Sequence, residues 1–188
     1  MKRNFILGVG LGLALLVMPV FGQHVHQLYY NNIQWVDQDL TALTNGATPN
    51  STTGIAAFYT TPNLQLHVYY GDINNHIHQL YYNGTRWSDE DLTGETGGMT
   101  AIPGTEVSGF AIGNLQHVFF LGSDLHVHQL YYNNAIWADQ DITAMGGGVV
   151  TDFQNVLAFR TTPNNQFHVY YLANNNNAVH QLYFNGTS

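Results

Sequence analysis

Four sets of residues recur in this chain in patterns that could do chemistry. His24-x-His26, His76-x-His78 and His126-x-His128 place two imidazoles at i and i+2. On a strand that spacing puts both rings on one face, about 7 Å apart, where zinc or copper would be chelated if a third ligand approached. Directly after each pair comes a glutamine, Gln27, Gln79 or Gln129, and Gln181 stands in a fourth copy that has Ala178 at the first histidine position. Trp35, Trp87 and Trp137 each open a Trp-x-Asp-x-Asp run, giving the pairs Asp37/Asp39, Asp89/Asp91 and Asp139/Asp141. A last set, His67, His117 and His168, begins a His-Val-aromatic-aromatic segment.

Paired carboxylates invite glycoside hydrolysis, but a hydrolase needs one acid and one base in different environments. Here the pairs are duplicated alike in every copy, so the second aspartate, followed by Leu/Ile-Thr, is expected to cap a turn. The strands that carry the His-x-His pairs hold no acidic residue and the chain has no cysteine. The pairs are therefore expected to make hydrogen bonds between repeats rather than a metal centre. No nucleophilic Ser–His–Asp set and no Gly-rich phosphate loop after a strand is present, so neither a catalytic residue nor a cofactor is expected.

The elements that must position these side chains follow from the repeat. Gln27, Gln79, Gln129 and Gln181 lie 52, 50 and 52 residues apart, so one supersecondary unit has been copied in tandem, with copies starting near 24, 76, 126 and 178. Each unit reads as four short aromatic and β-branched segments separated by Gly, Asn, Pro and Thr clusters, without a sustained helical period. The small-residue segment is Ile55–Thr60, Val107–Ile112 or Val156–Thr161, and the His-Val-aromatic segment follows it. The His-x-His-Gln-Leu-Tyr-Tyr segment is third and the Trp-x-Asp-x-Asp segment fourth. Asn83-Gly84, Asn74-Asn75 and Asn174–Asn177 read as hairpin turns. The fold class is all-β, a β-propeller of four-stranded antiparallel blades with the small-residue strand at the axis.

The chain opens on a third and a fourth strand and ends at Ser188 after a first, second and third, about three and a quarter blades in all. Rings close with about four to eight blades, so the expectation is the N-terminal portion of a longer ring; a homo-oligomer that closes the ring is the rival.

Lys2 and Arg3 precede an uncharged run from Phe5 to Met18 and a Val20-Phe21-Gly22 end, which reads as a secretory signal peptide over 1–22. The propeller then occupies 23–188, and the expected location is secreted or periplasmic. Removing the leader leaves Arg86 and Arg160 against twelve Asp and Glu. A phosphate backbone or an anionic membrane would find almost nothing to neutralise it, so neither nucleic acid nor membrane is an expected partner.

The run from Leu66 to Tyr70, then His76 to Gly84, followed by Trp87, resembles the blade of fucose-specific propeller lectins, both the fungal six-bladed type and the bacterial seven-bladed type. Ser108-Gly109-Phe110-Ala111 with Gln116 to Gly122 is similar to the bacterial branch in particular. The resemblance covers residues 24–188 and implies a six- or seven-bladed ring and a sugar held between adjacent blades. In the fungal family an arginine of the second strand, a glutamate of the third and aromatic rings hold that sugar. Carried over, the arginine position falls at His67, His117 and His168, the glutamate position at Gln27, Gln79, Gln129 and Gln181, and the aromatic position at Trp35, Trp87 and Trp137. Both polar positions depart from the family pattern. A His/Gln pair still donates and accepts hydrogen bonds to hydroxyls but lacks charge-assisted strength.

Physical chemistry independently permits a sugar, because a pyranose needs an aromatic platform and a few neutral polar groups in a shallow cleft. The expected function is thus a non-enzymatic, carbohydrate-binding propeller for fucose or another neutral or methylated sugar, with repeated sites acting together. The alternative is a non-catalytic interaction or structural scaffold, compatible with the divergent segments Thr41–Thr53, Gly94–Thr105 and Ala144–Gln154.

Overall fold

The computed structural model describes residues 22–151, 153–173 and 178–185. The leader expected over 1–22, Gly22 apart, and the expected turn at Asn174–Asn177 lie outside the described residues. Thirteen strands form four antiparallel sheets. The first sheet pairs β1 (His26–Tyr30) with β2 (Trp35–Asp39). The second runs in order through β3 (Ile55–Tyr59), β4 (Leu66–Gly71), β5 (Ile77–Tyr82) and β6 (Trp87–Asp91). The third repeats this with β7 (Ser108–Ile112), β8 (Leu115–Leu121), β9 (Val127–Tyr132) and β10 (Trp137–Asp141). The fourth holds β11 (Val156–Arg160), β12 (Phe167–Leu172) and β13 (Val179–Phe184). The strands β3, β7 and β11 touch one another in sequence, which places the small-residue strands on the inner side of the arc.

The strict pleat sorts each strand by residue parity. In the second sheet Ala56, Tyr69 and Gln79 lie in one row, and Phe58, His67 and Tyr81 in the next row of the same face. Val68, Tyr70, Leu80 and Trp87 occupy the other face. The core is correspondingly divided into three layers between sheets. Tyr69, Ala56 and Ile77 pack on Val118, Phe120, Leu130 and Trp137 of the third sheet. Tyr70, Leu80, Val68 and Trp87 pack on Val25 and Leu40, and Phe119, Leu121 and Val127 pack on Val169, Tyr171 and Leu182. No sheet buries either face without a neighbour, as expected of a blade.

Within the all-β fold three short turns are helical. The Leu/Ile-Thr runs after the outer strands form single helical turns, α1 (Leu40–Thr44), α2 (Leu92–Thr96) and α3 (Ile142–Met145). They are too short to show a helical period, but each is started by the second aspartate of the pair, an N-cap. Asp39, Asp91 and Asp141 accept from Ala42 N, Gly94 N and Ala144 N at 2.9, 2.8 and 2.8 Å. The threonine in each run is buried and its Oγ1 accepts from the backbone N–H of Val25, Ile77 or Val127 at 2.9, 2.9 and 2.8 Å. That bond ties the end of the outer strand back to the start of the third strand.

Candidate functional site

Because β4 pairs with β5 so that Tyr69 faces Gln79, His67 and Gln79 lie diagonally on one face. Gln79 Nε2 bonds to His67 Nδ1, and Gln129 and Gln181 make the same bond to His117 and His168 at 2.7 and 2.5 Å. An amide nitrogen only donates, so each Nδ1 is the acceptor and the ring proton sits on Nε2. His67 and His117 are 3% and 4% exposed. Burial pushes both imidazoles down to about 4, so they are neutral at physiological pH.

The tryptophan of each sheet lies on the opposite face from its own His/Gln pair, so the three residue types meet only across a joint between sheets. Trp137 approaches the His67/Gln79 face, edge-on to Tyr69 with centroids 6.4 Å apart, and is 8% exposed. Trp87 and Gln27 line a cleft of about 360 Å³ between the first and second sheets. Trp35 is 70% exposed, tilted against Tyr30.

The joints are not equivalent. Between the second and third sheets the His/Gln pair is fully engaged: Tyr69 Oη and Gln79 Nε2 both donate to Gln116 Oε1, the latter at 3.3 Å, and His67 Nε2 bonds Thr60 Oγ1 at 3.2 Å. Between the third and fourth sheets these partners are replaced. Phe119 stands where Tyr69 does and Phe167 where Gln116 does. The Thr60–Gln65 connection is shortened to Gly113-Asn114, a tight turn that uses the positive φ of Gly113 (63°). No hydroxyl then reaches His117, and its buried Nε2 has no partner among the described residues. Beside it lies a cleft of about 650 Å³ lined by His117, Gln129, Tyr131, Phe119, Phe167 and Phe184, at a sheet with three described strands and no described tryptophan standing where Trp137 fills the other joint. Phe167 stands edge-on to His117 at 4.8 Å. His168 and Gln181 bond each other on the far face of the fourth sheet, and His168 Nε2 also lacks a partner among the described residues.

The His-x-His pairs depart from expectation. Instead of bonding between repeats they bond within each sheet to the Asp-x-Asp pair of the adjoining strand. His24, His76 and His126 meet Asp39, Asp91 and Asp141 at 2.5, 2.8 and 2.6 Å. His26, His78 and His128 meet Asp37, Asp89 and Asp139 at 3.0, 3.1 and 3.1 Å. Antiparallel register explains this, since His78 is directly opposite Asp91. Burial opposes charge on His78 and His128, but the facing carboxylates prevail and push both imidazoles up.

Three solved lectins share this fold. A point mutant of Aleuria aurantia lectin in complex with α-methyl-L-fucoside superimposes with a TM-score of 0.64 at 15% identity, over 89% of this chain and 52% of that one. SapL1 lectin in complex with α-methyl fucoside gives 0.64 at 16% identity, over 89% and 54%. A fucose lectin from Kordia zhangzhouensis in complex with methyl-fucoside gives 0.50 at 17% identity, over 71% and 94%. The fold is that of the fucose-lectin propellers. The chain spans about half the length of the first two. No family model and no curated protein matches the sequence.

Within that fold, sequence reasoning overlooked three contributors to the joints. Gln116 closes the first polar network, Phe167 replaces it in the second, and Thr60 Oγ1 partners His67, whereas Thr161 at the matching position leaves His168 Nε2 without a partner among the described residues. The two connection lengths were visible in the sequence, but the hydroxyl's reach to the ring was not.

Proposed function

We propose that this chain is part of a secreted, non-catalytic, lectin-like propeller that binds neutral sugars in clefts between blades. One observation carries the reading: the cleft between the third and fourth sheets presents a buried, unpartnered His117 Nε2–H beside Gln129, among aromatic rings. A buried donor without an acceptor costs about 1–3 kcal/mol, which a sugar hydroxyl accepting that proton would recover. The rings of Tyr131, Phe167 and Phe184 offer the apolar platform that a pyranose C–H face requires, and the volume falls in the range of small-molecule sites. The solved lectins of this fold hold methyl-fucoside, which makes fucose the first candidate, while the His/Gln pair in place of charged partners favours neutral or methylated sugars generally. Single sites of this kind are weak, and repetition on one rigid arc raises avidity.

The test is a glycan array with free-sugar competition, comparing wild type with His117→Leu, which removes the donor and keeps the site apolar. Saturable binding that a monosaccharide abolishes, and that His117→Leu weakens while the variant remains folded, is the expected outcome. A folded wild type that binds no glycan would refute the reading and favour a protein-interaction scaffold; binding unaffected by His117→Leu would remove this cleft from it.

A further inference from the structure

The His–Asp ladders are alike in outline, yet in the third sheet the arrangement changes in a way that hydrogen bonding alone does not require. In the second sheet Asp72 is held mainly by its own turn, with its Oδ2 3.6 Å from His78 Nε2. Its Oδ1 accepts from Asn74 N and His76 N at 2.9 and 2.8 Å, and its Oδ2 accepts from Asn74 Nδ2 at 3.1 Å. The third sheet has Gly122 at the position of Asp72 and Asp124 at that of Asn74. The carboxylate has moved two residues along the turn, with Oδ1 taking His126 N at 3.0 Å and Oδ2 facing His128 Nε2 at 3.2 Å. Gly122 makes the room, because a Cβ there would come within 2.6 Å of Asp124 Oδ1 and 2.8 Å of His128 Cδ2.

Three donor atoms thereby converge, from Asp124, His128 and Asp141, and His126 Nδ1 stands beside the two carboxylates. His126 Nδ1 lies 2.6 Å from Asp141 Oδ2 and 3.9 Å from Asp124 Oδ2, and one ligand atom each from Asp124, His128 and Asp141 lie within 4.8 Å of one another. A tetrahedral zinc at about 2.0–2.2 Å from each ligand needs donors about 3.3–3.5 Å apart, the middle of this range of separations. His128 is oriented for the task from behind, since its Nδ1 donates to Asp139 at 3.1 Å and its Nε2 is the atom left pointing at the cluster. A ring N–H held by a carboxylate is the arrangement that fixes a metal-binding imidazole. Asp139 is itself held by Met99 N at 2.8 Å.

We propose that Asp124, His126, His128 and Asp141 form a site for a divalent ion of the zinc class at the rim of the third sheet, with Asp139 as the positioning residue. Two imidazole nitrogens and two carboxylate oxygens suit zinc, copper or nickel rather than calcium. The ion takes the place of the proton on His128 Nε2, which goes to solvent, and of the hydrogen bond from His126 to Asp141, where the Nδ1 proton is exchanged through solvent for one on Nε2 so that the ring stays neutral. The site is independent of the carbohydrate cleft, which lies on the other face of the same sheet.

The experiment uses the full chain without a polyhistidine tag, stripped with chelator and titrated calorimetrically with zinc in buffers of different ionisation enthalpy. Visible absorption of the cobalt form reports the ligand set. Asp124→Asn and His126→Ala are the variants, and their folding is safeguarded because Asn74 and Ala178 already occupy these positions in other repeats. The expected results are saturable binding with proton release in wild type and a loss of tenfold or more in each variant, in line with the about 10–100-fold cost of losing even an outer-shell partner. Absence of saturable binding in wild type would overturn the proposal. So would affinity unchanged from wild type in both variants, including the case in which binding disappears only on replacing His24 and His26, whose ring nitrogens also lie within 4.8 Å of Asp39.

Discussion

Mild acid should unfold this protein through two histidines before its carboxylates are protonated. His67 and His117 are buried and neutral, held at about 4 against an ordinary value of 6.5. The unfolded chain takes up protons at these rings as pH falls through 6.5, whereas the folded chain does not until about 4. Their contribution is therefore complete above about pH 6.5 and drains away toward pH 4, by about 3 kcal/mol per ring. Two rings amount to about 6 kcal/mol, comparable with the roughly 5–15 kcal/mol that holds a domain together. The other shifted groups leave this window clear. His78 and His128, pushed up by facing aspartates, stabilise fully below 6.5 and lose their contribution on the alkaline side. Asp39, Asp91 and Asp141 are held low by their capped backbone N–H and histidine partners against the opposing effect of burial, so their contributions persist until pH falls below 3.8. Glu90, pushed up by burial, offsets part of the loss as it protonates. The assay is urea denaturation followed by tryptophan fluorescence at a series of pH values. The partner variant is His67→Asn with His117→Asn, in which the amide oxygen stands where each ring Nδ1 accepts from glutamine. A free energy that stays level from about pH 6.5 to 4.5, or a slope unchanged in the double variant, would refute the reasoning.

Two further outcomes follow from burial and register. Trp137→Ala should cost about 3–5 kcal/mol in the same denaturation assay, because the ring fills the joint beside Tyr69, whereas Trp35→Ala should change stability by about 0.5 kcal/mol or less. Thr93→Val preserves shape but leaves the buried N–H of Ile77 without its acceptor, so it should cost about 1–3 kcal/mol and speed amide exchange at Ile77 above all.

Much of the fold was legible because local chemistry and the global repeat agree. Trp35, Trp87 and Trp137 begin β2, β6 and β10 as their recurrence predicts, and the Asn83 turn carries its own signature, with Oδ1 accepting from Thr85 N and Arg86 N at 3.0 and 3.1 Å. The His–Asp pairing was recoverable in principle, since folding the chain about Asn83-Gly84 sets His78 against Asp91. Reading each strand alone concealed it, because the partners lie 11 and 15 residues apart. The difference between the two joints was less accessible. It depends on whether a hairpin hydroxyl meets the ring, which length alone does not fix, since Thr161 stands where Thr60 does and His168 Nε2 still has no partner among the described residues, and on Gln116 and Phe167 projecting from a neighbouring sheet. Such contacts between repeats leave no periodic trace in a single sequence.

The alternation of faces along each strand also decides which joint a substitution disturbs. In β9 the odd-numbered Val127, Gln129 and Tyr131 belong to the joint with the fourth sheet, and the even-numbered His128, Leu130 and Tyr132 to the joint with the second. Neighbours in sequence thus answer to different partners, and a site is the joint property of two repeats. Two repeats can diverge without altering the cleft they share if they change on their outer-facing parities, and one repeat that changes on a single parity alters one cleft while leaving the other intact. A duplicated chain of this construction can diversify its clefts one at a time, whereas a one-residue insertion within a strand would exchange the linings of two clefts at once.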